Sequence, residues 1–343
     1  MLPIKMVFVY RKQRPDAFSI EELFRTISGE LRSQIDVVEY EVGERSDIVR
    51  DLRKLRALKA DIYHVTGDIN YFVPLLPSGR TVLTVHDIGH YLVGLSGIKR
   101  HIYKWLWLLW PIRAAGAVTC VSEETKKNIN THLNFPANRL VVIENCYSPL
   151  FQPVAKTFNS ACPTILQVGT KSYKNVPRLV RALKGVHCRL VLIGKIDHEL
   201  AETLAEAGSD FVNHVNLNHK ELVRQYVECD IVAFASIGEG FGVPIIEAQA
   251  VGRPLVTSDV SPLREVAGNG ACLVDPLSEE SIRAGICRLI DDATYRMDLV
   301  AKGLLNAQRF SATSTAKCYL TVYERLLAKT GGKESSFGTK GAR

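Results

Sequence analysis

The stretch ASIGEGFGVPIIEAQAVG, beginning at Ala235, sets two carboxylates, Glu239 and Glu247, on either side of a Gly-Phe-Gly turn. Gly240 and Gly242 leave backbone N–H groups open to an anion, and Pro244 suits the first turn of a helix that Gly252 would end. The spacing predicts Glu239 in a loop and Glu247 in or near the first helical turn, where a carboxylate can do no more than favour the helix dipole. A second anion signal lies upstream. VGTKSYKN ends a strand with Gly169 and sets Lys171 and Lys174 before a helix, so glycine, helix N-terminus and ammonium groups converge. The plainer reading of that loop is a solvated basic turn. His86 closes the run RTVLTVHD, and its H-x-x-x-H spacing to His90 is one a metal can use. Gly89 and the strand-end context argue against both rings sharing a helix face, no third ligand is evident and no D-x-D occurs, so neither a metal nor a cofactor is expected. A Walker A motif is absent, and the glycines after Glu239 lack dinucleotide-binding spacing.

These residues sit in a chain of 343 residues, 46% hydrophobic and 23% charged, which reads as a globular protein with room for about two domains. A formal charge of +7 suits phosphate-bearing ligands or an anionic membrane surface without demanding nucleic acid. No long block of like charge forms a nucleic-acid arm. The eight cysteines include no C-x-x-C pair and several lie in aliphatic runs such as AVTCVS, so they read as buried free thiols in a reducing cytoplasm. MLPIKMVFVYRK is a strand-sized apolar run, too short and wrongly flanked for a signal peptide.

Strand-like and helix-like runs alternate throughout. The first half offers IKMVFVY, IDVVEY, ADIYHVT, RTVLTVH and AVTCVS. The second offers PTILQVG, CRLVLIG, DFVNHVN, DIVAFAS, RPLVTS and ACLVD. Serine is a fitting N-cap for both SIEELFRTISGEL and SEETKKNINTHL. Continuous aliphatic strands alternating with helices predict an α/β protein with two doubly wound, parallel-sheet (Rossmann-like) domains. The proline-rich segment Ser148 to Pro163 marks the boundary, giving domains 1–150 and 151–329, with a polar, disordered tail at 330–343. Ligands bind beyond the carboxyl ends of such strands. His64, His86, Asp87, Ser122, Glu123, Gly169, Lys174, Gly194, Lys195 and Glu239 all fall at strand ends, and would line one cleft if the domains turned these edges toward each other.

Taken whole, SIGEGFGVPIIEAQAVGRPLVTSDVSPLREVAGNGACLVDP, Ser236 to Pro276, resembles the signature block of the family 4 glycosyltransferases of the GT-B fold. Glu239 and Glu247 match the family's E-x7-E, and Ser261, Pro262, Glu265, Asp275 and Pro276 also fit. LQVGTKSYKN resembles its phosphate-binding loop, and TVHD and AVTCVSEETKKNI its acceptor-side domain, so the likeness covers most of the chain to about residue 329. The resemblance implies that Glu239 lies against a donor sugar and Glu247 accepts hydrogen bonds from ribose hydroxyls. It implies too that the backbone of Gly240, Phe241, Gly242 and Val243 faces sugar and phosphate, and that Lys174 neutralises a departing diphosphate, with Gly169 and Lys171 beside it. His86 is the candidate for contacting the sugar near the reacting carbon. Departures are visible. Thr170 stands where the family often has arginine, with Lys171 as a substitute of different geometry. Glu144-Asn145-Cys146 replaces the usual Pro-Asn-Gly, and a loop made basic by Arg11, Lys12 and Arg14 replaces a glycine-rich one.

The leading expectation is a retaining, metal-independent transferase moving a sugar from a nucleotide diphosphate to a hydroxyl of a glycan or lipid-linked acceptor. The alternatives are a sugar-nucleotide epimerase on the same fold, or a non-catalytic nucleotide-sugar-binding subunit. The expected location is cytoplasmic. GIKRHIYKWLWLLWPIR is too short to span a bilayer but combines tryptophan with Lys99, Arg100, Lys104 and Arg113, which suits peripheral contact with the inner face of a membrane. The plainer reading is a helix packed on the first sheet.

Overall fold

The computed structural model describes residues 4–12 and 19–329, so Arg14, the side chain of Ser19 and the 330–343 tail lie outside it. The chain forms two compact units. In the first, strands β1 (Lys5–Tyr10), β2 (Asp36–Glu41), β3 (Ile62–Val65), β4 (Thr81–Val85), β5 (Ala117–Cys120) and β6 (Leu140–Val142) make a parallel sheet in the order β2-β1-β3-β4-β5-β6. In the second, β7 (Thr164–Val168), β8 (Arg189–Ile193), β9 (Phe211–His214), β10 (Ile231–Phe234), β11 (Leu255–Ser258) and β12 (Cys272–Val274) run β12-β11-β10-β7-β8-β9. The central strands β3, β4 and β10 are buried at every residue, while the edge strand β9 is not. Helices on both faces of a parallel sheet impose that difference.

Strand order locates the places where ligands can enter. The order reverses between β1 and β3 in the first sheet and between β7 and β10 in the second. Loops on either side of such a point diverge to opposite faces and open a crevice. Gly169 and Lys174 follow β7 and Glu239 follows β10, so all three lie at the second unit's switch point.

The units divide the chain differently from the sequence boundary. The second unit runs from Glu144 to Ala312, and the helix Ala312–Lys329 returns to the first. Its Tyr323 hydroxyl bonds His64 Nδ1 at 2.7 Å, while His64 Nε2 meets Thr84 Oγ1 at 2.7 Å. Burial drives the His64 pKa down to about 3. This ring is a neutral core group within β3, which removes His64 from the strand-end candidates. Ser122 likewise caps the helix Glu123–Leu133 through Thr125 N. The eight cysteines are free, but Cys318 is exposed and Cys162, Cys188 and Cys287 are partly so, which corrects the expectation of uniform burial. No helix of the described residues is long and apolar enough to cross a membrane.

Candidate functional site

The loop after β7 bends back on itself to bring Lys174 to the switch point. Asn175 adopts a left-handed conformation (φ 61°), and its side-chain amide donates to the carbonyls of Ala235 and Pro276 at 2.9 and 2.7 Å. That ties the loop to those following β10 and β12. Lys174 Nζ then reaches Glu239 Oε1 at 2.7 Å and lies 4.5 Å from the centre of the Phe234 ring. The two side chains keep only 14% and 12% of their exposure. One of the three ammonium protons is thus committed, and two remain for an anion. Gly169, with φ at 87°, is where it is because a Cβ there would stand 2.9 Å from Lys174 Cε. It makes room for the lysine stem.

The Gly-Phe-Gly turn is held from beneath. Phe241 is buried edge-on to Phe310 at 5.7 Å, so only its backbone can reach a ligand. Gly242 caps the helix Val243–Val251, whose Pro244 and Gly252 stand at its two ends as the sequence predicts. Glu247 is the fifth residue of that helix, and no acidic residue lies in the first turn, which removes the dipole reading. It is instead 7% exposed, and its Oε2 accepts from the Tyr226 hydroxyl at 2.6 Å. Burial pushes its pKa up to about 7, against the lowering pull of the Tyr226 hydroxyl and the Lys174 charge. Oε1 has no partner among the described residues, leaving a carboxylate oxygen for hydroxyl donors.

On the other loops Arg11 and Lys12 are engaged in ion pairs, whereas Lys171 is not among the described residues. Thr170 donates to the Lys195 carbonyl at 2.5 Å, so the residue in the arginine position ties the loops after β7 and β8 together. Lys171 is exposed and forms no ion pair among the described residues. In the first unit, Arg11 pairs with buried Glu21 at 2.5 Å and with Asp68, and Lys12 pairs with Glu44 at 2.9 Å. Arg11 and Lys12 are therefore charge-compensated, while Arg14 lies outside the described residues.

His86 lies at the carboxyl end of β4. The carbonyl of Thr66 accepts from its Nε2 at 2.7 Å, which fixes the proton on that nitrogen and leaves Nδ1 as an acceptor with no partner among the described residues. Burial lowers its pKa, outweighing the opposing pull of the Thr66 carbonyl, Asp68 and Asp87, so the ring is neutral near pH 7. Gly67, with φ at 132°, admits the ring, since a Cβ there would lie 2.7 Å from His86 Cδ2.

Residues 8–149 match the family model described as Glycosyltransferase Family 4, and residues 162–292 match Glycosyl transferases group 1. The chain belongs to the family 4 glycosyltransferases. It is 26% identical over 297 residues to the O-antigen chain mannosyltransferase B of Escherichia coli, covering 79% of this chain and 76% of that protein. It is 27% identical over 241 residues to the O-antigen chain mannosyltransferase RfbU of Salmonella typhimurium, covering 67% of this chain and 66% of that one. Among solved structures, sucrose-phosphate synthase of Thermosynechococcus elongatus superposes with a TM-score of 0.78 at 16% identity, over 95% of this chain and 100% of that chain. Anabaena HepE in complex with UDP and glucose gives 0.74 at 16% identity, over 93% and 99%. These two likenesses establish the GT-B fold.

Within this glycosyltransferase the structure gathers Gly169, Lys174, Glu239, Gly240, Gly242, Val243 and Glu247 around the second switch point, with Lys171 on its exposed rim. Sequence reasoning missed three supports. Tyr226 lies on the helix His219–Glu228 and reads in sequence as an ordinary core aromatic. Asn175 carried a usable signal, because asparagine before a Val-Pro helix start tolerates left-handed backbone. Gly67 gave none beyond its place after a strand.

Proposed function

We propose that this glycosyltransferase moves a sugar, with retention at the anomeric carbon, from a nucleotide diphosphate bound by the second unit to a hydroxyl of a glycan or lipid-linked acceptor. The observation that carries the reading is the half-satisfied Glu247 set near the Lys174–Glu239 pair. A ribose would donate to Glu247 Oε1. The two uncommitted Lys174 protons, with backbone N–H groups of Phe241, Gly242 and Val243, would take the diphosphate, and Glu239 would accept from the sugar. The bond from anomeric carbon to diphosphate breaks and a bond to the acceptor oxygen forms on the same face, the acceptor proton passing to the departing phosphate. Stabilising that leaving charge with fixed donors is the main task. Mannose is the first sugar to test, since the two bacterial relatives are mannosyltransferases. The proposed location is cytoplasmic, in peripheral contact with a membrane.

Product analysis tests the reaction. Glycosylated acceptor supports it, whereas an epimerised donor, or donor bound without turnover, would replace it with one of the two alternatives. Turnover is expected to survive EDTA, because protein cations and N–H groups neutralise the diphosphate in this scheme. Loss on chelation with recovery on adding magnesium or manganese would contradict it.

Glu247 gives the site a pH signature. Its folded pKa, about 7, is raised above the usual 4.5. The unliganded fold therefore loses this group's contribution as pH rises from 4.5 through 7. A ribose diol needs the ionised carboxylate, so nucleotide affinity moves the other way. It should weaken by roughly tenfold from pH 8 to pH 6, the change expected when one group with a pKa of about 7 takes up its proton across that span. Glu247→Gln keeps an acceptor for Tyr226 and should flatten that slope. Equal slopes in both proteins, by calorimetric titration, would mean that the phosphates titrate and not this residue.

A further inference from the structure

The segment from Val93 to Arg113 presents more apolar surface than the fold uses. Its inward face is complete: Leu108, Leu109 and Ile112 are buried, and Trp107 stacks on Tyr103 at 5.9 Å with Arg45 5.2 Å from its ring centre. The outward face carries Val93 and Ile98, exposed by 91% and 78%, and Ile102, Trp105, Leu106 and Trp110, all more than half exposed. Ile98, Ile102, Trp105 and Leu106 follow helical spacing. Continued as an α-helix, that stripe would next show Leu109. Residues Lys104–Leu109 form a π-helical turn, whose extra residue shifts the register by one. Leu109 turns inward and Trp110 takes its place on the exposed stripe.

No aspartate or glutamate occurs between Asp87 and Glu123, while Lys99, Arg100, Lys104 and Arg113 do. Of these cations Lys99 and Arg113 are exposed, while Arg100 and Lys104 are partly buried, Lys104 Nζ donating to the His132 carbonyl at 2.8 Å. The Arg113 guanidinium lies 5.3 Å from the exposed Trp105 ring, and Arg100 lies 4.7 Å from the Tyr91 ring. A second copy of this surface would meet it with like charge. An anionic bilayer offers both complements, headgroup charge for the cations and an interfacial layer for tryptophan.

We propose that the exposed face of residues 93–113 docks on the surface of an anionic lipid bilayer, with Trp105 and Trp110 as its interfacial anchors. This stands independently of the sugar transfer. All three tryptophans of the chain lie in this segment, so intrinsic fluorescence reports on it directly. The full chain should float with phosphatidylglycerol-containing vesicles at low salt, with a blue-shifted emission, and bind phosphatidylcholine vesicles at least tenfold less. Trp105→Ser with Trp110→Ser should cut vesicle binding at least tenfold at an unchanged melting temperature, as these side chains do not fill the core. Lys99→Glu with Arg113→Glu should abolish the preference for anionic lipid. Absence of flotation, flotation indifferent to both double variants, or self-association in sedimentation that the tryptophan changes abolish in place of vesicle binding would each overturn the proposal.

Discussion

Replacing His86 with alanine should lower kcat about 100-fold or more while leaving the affinity for free nucleotide nearly unchanged. That magnitude belongs to a fixed polar group whose interaction strengthens in the transition state. The asymmetry follows from where the groups lie. His86 belongs to the first unit, and the residues proposed to hold the nucleotide belong to the second. Its Nε2 is committed to Thr66, so under the proposed role its contribution would come from Nδ1, accepting from a sugar hydroxyl. His86→Gln, which offers an acceptor without the ring, should recover part of the loss. Because the pKa is lowered, the wild-type rate should show no histidine limb until pH falls below the ordinary histidine range of about 6.5. Equal losses in turnover and nucleotide binding, or a collapsed melting temperature, would identify the ring as a core group satisfied by backbone. A wild-type rate would remove it from the site.

Lys174→Ala should reduce kcat/KM by about 10²–10³-fold, the range for losing one donor to a developing anion. A nucleoside diphosphate should lose more affinity than the nucleoside alone, since only the former carries the charge that Lys174 is proposed to neutralise. Stability is a separate matter. Glu239 loses its partner while retaining 12% of its exposure, and an uncompensated carboxylate there should cost up to ~3 kcal/mol. Adding Glu239→Gln should restore much of the melting temperature without restoring turnover. Recovery of both together would mean that the pair is structural.

Most of the eleven strands legible in the sequence are unbroken apolar runs, as buried parallel strands are, the edge strands β2 and β9 being the exceptions. The twelfth, Leu140–Val142, is no shorter than β12 and borders the segment before the boundary. Glu247 lies near the first helical turn, as the spacing predicts, but its burial was not read although its helix held the clue. VPIIEAQAV is apolar on nearly every side, and a helix of that kind is buried, so its one carboxylate had to be buried with it. The compensation of Arg11 and Lys12 was not legible, because Glu21, Asp68 and Glu44 lie 10, 57 and 32 residues away and only the fold brings them near. The last helix was assigned to the wrong unit for a similar reason. Its apolar face suits either sheet, and what decides is a pair of tyrosine hydroxyls meeting His64 and Thr84.

That returning helix sets an order of completion. A ribosome delivers β1 to β6 first, but the hydroxyls of Tyr319 and Tyr323 emerge only after residues 144–312 have been made. At roughly 5–20 residues per second the interval is about ten to thirty seconds. Throughout it, His64 and Phe24 form an open seam in a sheet otherwise ready to close, while the contiguous second unit can finish without waiting. The half of the molecule that is begun first is thus sealed last, and the nascent chain carries its unfinished core through most of its own synthesis.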